Sequence, residues 1–367
     1  MSGERSSADH DVDPARLKFA MTLGGYPSYA ALQQESGVSS DTLRGWHKQR
    51  VERPSPSSQS AVEGALPVTF DFLTDHTPLP PLRNVNFRNL QSTEENDRAQ
   101  MRAYLTVAAL TAQGLLGTRA APIGTMPLDS HGVEQGASVV AAAKFRSSLG
   151  MGSSPAPNLV RVAEKLGVLV AYGPRQTANI DACSGWVGAN PIIVLNPAKG
   201  DHYRQRWDMA HELGHLVLHR QSRPPSNRTA EAQAEAFAEA LLFPPYNRAM
   251  ARLKAVVSSS APFSSLVAFQ EEWDISVDAL LYRLSRGARG SLRDAVIRRQ
   301  KEREDIAPKS EPVGSARPAE EPTILADAVD ELRAEHGAPF ASIAWELGLK
   351  PELLSTLVAR RPNSVPM

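Results

Sequence analysis

The sequence is short of cysteine, of net charge and of long apolar runs. Among its 367 residues Cys183 is the lone cysteine, which excludes an intrachain disulfide and a thiolate-rich zinc cage. The 40 basic and 40 acidic side chains cancel to a formal charge of +0, so no whole-chain field attracts nucleic acid or acidic lipid, and any DNA contact has to come from a local patch. No apolar run approaches the ~18 residues of a membrane span. The opening Met-Ser-Gly-Glu-Arg-Ser-Ser-Ala-Asp-His lacks the apolar stretch of a signal peptide. The expectation is a soluble protein of a reducing cytoplasm, with no membrane partner.

What is present suits a globular chain: 42% hydrophobic and 22% charged residues, over a length that roughly 150 residues per domain divides into two to three domains. Pro-Ser-Pro-Ser-Ser-Gln-Ser over 54–60 reads as the start of a linker, and Pro78, Pro80 and Pro81 make the following stretch a poor helix or central strand. Residues 121–138 are rich in Gly, Pro and small side chains. Residues 301–323 hold almost no large apolar residues and are expected to be flexible. Helices are predicted over 98–118, 139–149, 157–167, 203–219, 228–242, 263–272 and 276–286, and buried strands over 168–172 and 192–195.

The chemistry concentrates in His211-Glu212-Leu213-Gly214-His215, an H-E-x-x-H inside a helical run. Histidines at i and i+4 lie roughly 40° apart on a helix, so both imidazoles can reach one tetrahedral ion while the adjacent glutamate reaches a water on it. The bland alternative is a buried helix whose histidines only satisfy hydrogen bonds. A catalytic zinc takes a third protein ligand. Gln221 stands six residues after the second histidine, where metzincins have their third. The carboxylates Glu231, Glu235 and Glu239 on the next helix fit better.

The run Arg204-Gln-Arg-Trp-Asp-Met-Ala-His-Glu-Leu-Gly-His-Leu-Val-Leu-His219, followed by Glu231-x-x-Ala234-x-x-Phe237-Ala238-x-x-Leu241-Leu242-x-Pro244, resembles the ImmA/IrrE family of zinc metallopeptidases over about residues 98–250. The resemblance implies a zincin-like domain with a small sheet, zinc held by His211, His215 and Glu231, Glu212 as general base, and cleavage of a repressor-type transcription factor. Glu235 departs from the Asn or Asp common there. The helical wheel agrees on Glu231: measured from the stripe Ala234, Phe237, Ala238, Leu241, Leu242, it falls at roughly 60°, against roughly 100° for Glu235 and roughly 140° for Glu239. His219 continues the i+4 series, although dipole and capping explain a histidine at a helix end. His202 or Tyr203 could polarise a scissile carbonyl, and Cys183 could block zinc as a thiolate; a surface loop and an idle thiol are the plain alternatives.

Upstream, Tyr29-Ala-Ala-Leu-Gln-Gln-Glu-Ser-Gly-Val-Ser-Ser-Asp-Thr-Leu-Arg-Gly-Trp-His-Lys-Gln-Arg50 resembles an Xre-type, lambda-repressor-like helix-turn-helix. Gly37 permits the turn, Leu32, Val38 and Leu43 pack the helices, and Trp46 closes the small core. The resemblance puts Ser39, Ser40 and Thr42 near base edges and Arg44, Lys48 and Arg50 near phosphates of operator DNA; protein docking is the alternative use. The tail repeats the pattern at a constant offset, Ile343 matching Leu32, Gly348 matching Gly37 and Leu354 matching Leu43. The expected fold is α+β and predominantly α: a helix-turn-helix domain (15–55), a linker (56–97), a zincin-like peptidase domain (98–250), a helical extension (251–300), a flexible linker (301–323) and a tethered helical module (324–362). The expected activity is zinc-dependent endopeptidase, with a DNA-binding regulator or toxin–antitoxin component as its rival.

Overall fold

The computed structural model describes residues 11–50, 54–89, 95–117, 137–174, 180–197, 201–219, 227–245, 248–307, 313–314 and 316–358. Among these, helices predominate and one small mixed sheet accompanies them, an α+β fold. Two compact units divide the chain: Met1–Ile123, Val168–Pro197 and Pro322–Met367 form the first, Gly124–Gly167 and Ala198–Glu321 the second. The expected peptidase segment 98–250 therefore contributes to both.

The first unit opens with helices α1 (Pro14–Leu23), α2 (Tyr29–Ser36), α3 (Ser40–His47), α4 (Pro56–Ala65) and α5 (Phe70–Thr74). Asp13, Ser28, Ser39, Ser55 and Thr69 cap them in turn, each side chain accepting from the backbone N–H three residues on. The sequence-based linker over 56–97 is corrected here. Pro56 follows the Ser55 cap at the first helical position, where its missing N–H costs nothing, so it starts a helix instead of breaking one. Gly37 ends α2 at φ 73° and turns the chain into α3, with Leu32, Leu43 and Trp46 buried beneath.

Four strands follow, β1 (Leu82–Asn89), β2 (Leu169–Tyr172), β3 (Ile180–Val187) and β4 (Asn190–Leu195), in the order β1-β3-β4-β2; β3 pairs antiparallel with β1 and β4, and β4 pairs parallel with β2. Helix α6 (Glu95–Leu116) lies against this sheet. Its approach to β3 needs Gly185, where an added Cβ would stand 3.2 Å from Leu105 and 3.3 Å from Val85. Cys183 is buried in β3, its thiol facing the Met101 carbonyl.

Helices α15 (Ile324–His336), α16 (Phe340–Glu346) and α17 (Pro351–Val358) complete this unit. They are no tethered module. Leu325, Val329, Phe340, Ile343, Leu354 and Leu357 enter the same apolar cluster as Leu17, Leu32 and Met101. The predicted repeat is visible in the backbone: Gly348, at φ 74°, matches Gly37 at φ 73°, and α16 and α17 begin where the offset places the starts of α2 and α3. The second copy's turn is clipped to residues 67–69, Thr69 N–H donating to Gly348 O (2.9 Å) and Lys350 N–H to Pro67 O (3.0 Å).

The second unit consists of α7 (Ala137–Ser148), α8 (Leu159–Lys165), α9 (His202–Leu218), α10 (Asn227–Leu242), α11 (Arg248–Ser258), α12 (Ser264–Trp273), α13 (Val277–Ser285) and α14 (Ser291–Ile306). Helices α9 and α10 pack side by side, with α7 against both and α8 against α9. The flexibility expected over 301–323 is corrected on its described residues: α14 runs to Ile306, and ion pairs take the place of apolar burial. Arg303 pairs with Asp278 (3.1 Å), and the buried Glu320 pairs with Arg206 while accepting from the N–H groups of Leu159 (2.7 Å) and Val160 (3.0 Å) at the start of α8. The glycine-rich zone 121–138 lies almost wholly outside the described residues. No described helix is long and apolar enough to cross a membrane.

Candidate metal centre

Helix α9 begins at Asp201, whose carboxylate accepts from the N–H groups of Tyr203 (2.8 Å) and Arg204 (3.1 Å). Every residue from Asp208 to Val217 is buried, so this stretch is enclosed on all sides instead of amphipathic. Polar side chains persist inside such a helix only where something holds them. His211, Glu212 and His215 are 4%, 0% and 0% exposed. Gly214 lets α10 come close, since a Cβ there would stand 3.1 Å from the Ala234 carbonyl oxygen and from Phe237.

That approach brings Glu231, at the start of α10, to the two histidines. Glu231 Oε2 lies 3.2 Å from His211 Nε2, Glu231 Oε1 3.4 Å from His215 Nε2, and the two Nε2 atoms are 3.1 Å apart. Among the described residues this is the one group of His, Cys, Asp or Glu side chains with metal-ligand spacing. Ligand bonds of about 2.0–2.1 Å in a tetrahedron separate neighbouring donors by about 3.3 Å. The observed 3.1–3.4 Å matches that edge, and two imidazoles with one carboxylate are a donor set suited to zinc.

Burial opposes the Glu231 charge, but hydrogen bonds and the fields of His211 and His215 more than offset it and bring the carboxyl down to about 2. Burial also lowers the pKa of His215 and of His219 from the ordinary histidine value, favouring neutral rings with a lone pair to give. His219 caps α9 and stays outside the trio: its Nδ1 is 3.0 Å from His215 Nδ1 and its Nε2 2.9 Å from Gln233 Oε1.

Residues 163–285 match the Peptidase_M78 family, described as an IrrE N-terminal-like domain. The matched segment is a third of the chain and contains the whole of α9 and α10. The match makes this segment similar to a peptidase domain. No curated protein matches the chain.

The other glutamates of α10 turn elsewhere. Glu235 hydrogen-bonds Tyr282 on α13, and Glu239 pairs with Arg286 (2.7 Å) and Arg283 (3.5 Å). His202, nine residues before His211 and so about 13 Å up the helix axis, binds Asp274 (2.8 Å) and the Pro318 carbonyl (2.8 Å). Tyr203 beside it is buried. Gln233 carried no signal in the sequence, and only the i+4 spacing pointed to His219.

In the first unit, the hydroxyls of Ser39 and Ser40 serve the fold. Ser39 Oγ accepts from Thr42 N–H (3.1 Å) and contacts Thr42 Oγ1 (2.9 Å), and Ser40 donates its N–H and Oγ–H to Gln33 Oε1 (2.8 Å each). Arg44 pairs with Asp41 (2.9 Å), while Lys48 and Arg50 are exposed.

Proposed function

We propose that this protein is a zinc-dependent endopeptidase acting on a specific repressor-type regulatory protein in the cytoplasm. The observation that carries the reading is the convergence of His211, His215 and Glu231, with Glu212 next to the first ligand, inside the peptidase-like segment. His211 Nε2, His215 Nε2 and a Glu231 oxygen would hold the metal. When bound, zinc supplies a Lewis acid that lowers the pKa of a water to about 7 and polarises the peptide carbonyl.

Glu212 then takes a proton from the attacking water and returns it to the leaving amine nitrogen as the C–N bond breaks. Its side chain is completely buried, one residue from the first ligand. A scaffold for recognition alone gains nothing from an acid buried beside its histidines, which favours turnover over the rival reading.

Helices α2 and α3 supply targeting, by contacting operator DNA or the repressor itself. Arg44, Lys48 and Arg50 are exposed cations on and just beyond α3, Arg44 in an exposed pair with Asp41. The decisive experiment uses Glu212→Gln, which keeps the shape and cannot accept the proton. It is expected to bind zinc like the wild type and to lower cleavage of the cognate regulator at least 10²-fold, read by mass spectrometry of fragments. Retained cleavage removes Glu212 from the reaction.

A further inference from the structure

A cavity of about 540 Å³ opens within the second unit, between α7 and the C-terminal end of α10. Val139, Val140 and Ala143 of α7 form one wall, and Ala240, Pro244 and Pro245 form the other. Val140 is 56% exposed there, a large apolar side chain left in water. The volume lies in the range of small-molecule sites. The lining contains a single charged residue, Arg146, and that residue is 2% exposed.

Arg146 donates from Nε (3.2 Å) and Nη2 (3.0 Å) to the Gly152 carbonyl, from Nη2 also to the Ser154 carbonyl, and from Nη1 to the Leu241 carbonyl. Positive φ at Gly150 (66°) and Gly152 (53°) lets the loop after α7 wrap around the guanidinium. These contacts satisfy hydrogen bonds without balancing the charge. Among the described residues no carboxylate pairs with Arg146, and burial lowers its pKa with no acidic neighbour to raise it again. The end of α10, where Leu241 lies, contributes about half a negative charge, and a buried cation is costly without an anion beside it. A clamp of loop onto helix explains the carbonyl contacts. It does not explain an open apolar cavity next to the charge.

We infer that this cavity binds a small apolar monoanion, a carboxylate with a hydrocarbon body, its head paired with Arg146 and its body against the valine and proline walls. A carboxylate suits the planar guanidinium, which makes its strongest hydrogen bonds to such groups. Burial of the hydrocarbon supplies the rest of the affinity. The site stands apart from the metal trio: Ala240 follows Glu231 by nine residues, roughly 13 Å along α10. The inference therefore holds independently of the zinc reading.

The test titrates the full chain by calorimetry at pH 7.5 with three probes that share one hydrocarbon body: octanoate, octan-1-ol and octylammonium. Octanoate is expected to bind once per chain, at least ~10-fold more tightly than octanol, with octylammonium showing no binding. Two substitutions place the probe in the cavity, both at exposed positions on its wall that leave the buried Arg146 clamp intact. Ala143→Trp fills the space and should weaken octanoate at least ~10-fold. Val140→Glu sets a like charge at the mouth and should weaken octanoate at least ~10-fold but octanol less than ~3-fold. Thermal melts of both variants within ~2 °C of wild type establish that the fold is kept. Equal affinity for octanoate and octanol would reduce the cavity to an apolar cleft in which Arg146 plays no part, and overturns the inference. So does undiminished octanoate binding to Ala143→Trp, or no binding to wild type up to about 10 mM.

Discussion

Glu231, Glu235 and Glu239 occupy successive turns of α10 and meet three different partners: the α9 histidines, Tyr282, and the arginine pair Arg283 and Arg286. The sequence distinguishes them because angle around a helix is legible from spacing, and the stripe Ala234, Phe237, Ala238, Leu241 and Leu242 is indeed buried. What spacing cannot convey is reach across to another helix, so Gln233 went unnoticed and His219 looked like a cap. The buried rings make stability depend on pH. Burial holds the folded-state pKa of His215 and of His219 below the ordinary histidine value of about 6.5, so under acid the unfolded chain binds protons that the folded chain resists. Stability from these groups is complete above about pH 6.5 and is lost as pH falls through the folded values. Glu231 acts in the same sense at lower pH, between 4.5 and about 2. Metal-free protein is therefore expected to unfold at lower urea at pH 5.5 than at pH 7.5, and His219→Phe should shrink that difference; an unchanged midpoint would count against neutral buried rings.

At the scale of elements, the strongly patterned segments were legible and the geometrically demanding ones were not. Helices α9, α10, α12 and α13 lie within two residues of their predicted ends. Strand β3 escaped notice: Ile-Asp-Ala-Cys-Ser-Gly-Trp-Val does not alternate, because as an interior strand it is buried along nearly all its length, and Gly185 is there for α6. Strand β1 is an edge strand rich in Arg and Asn, with a register shift between Arg83 and Asn86 and Asn84 at φ 49°. Gly214 makes a similar demand at the metal centre. Gly214→Ala gains about 1 kcal/mol of helix propensity, but its methyl meets the Ala234 backbone at 3.1–3.2 Å, and overpacking of this kind costs about 1–3 kcal/mol. The expected result is a lower Tm and weaker zinc binding, since the α10 backbone that moves also carries Glu231. An unchanged zinc affinity would show that α10 gives way without displacing its carboxylate.

For the molecule as a whole, composition misled wherever polar residues are buried by pairing. Proline and serine over 54–60 suggested a linker and begin α4; charges over 301–323 suggested mobility, yet Arg303 and Glu320 are both buried. The tail joins the first unit's core, as α1 to α3 do, so targeting is best tested by surface substitution and not by removing residues 1–60. Arg44→Ala with Lys48→Ala should leave Tm within ~2 °C, weaken operator binding and lower its salt slope by roughly one unit per lost phosphate contact; unchanged slopes would assign these helices to protein docking. The central claim is the three-ligand metal centre, and zinc stoichiometry by elemental analysis after titration and desalting addresses it most directly. Wild type, Glu235→Ala and Glu239→Ala are expected to retain one zinc per chain, and Glu231→Ala to lose it. No uptake by the wild type, or loss in Glu235→Ala with retention in Glu231→Ala, would contradict the account.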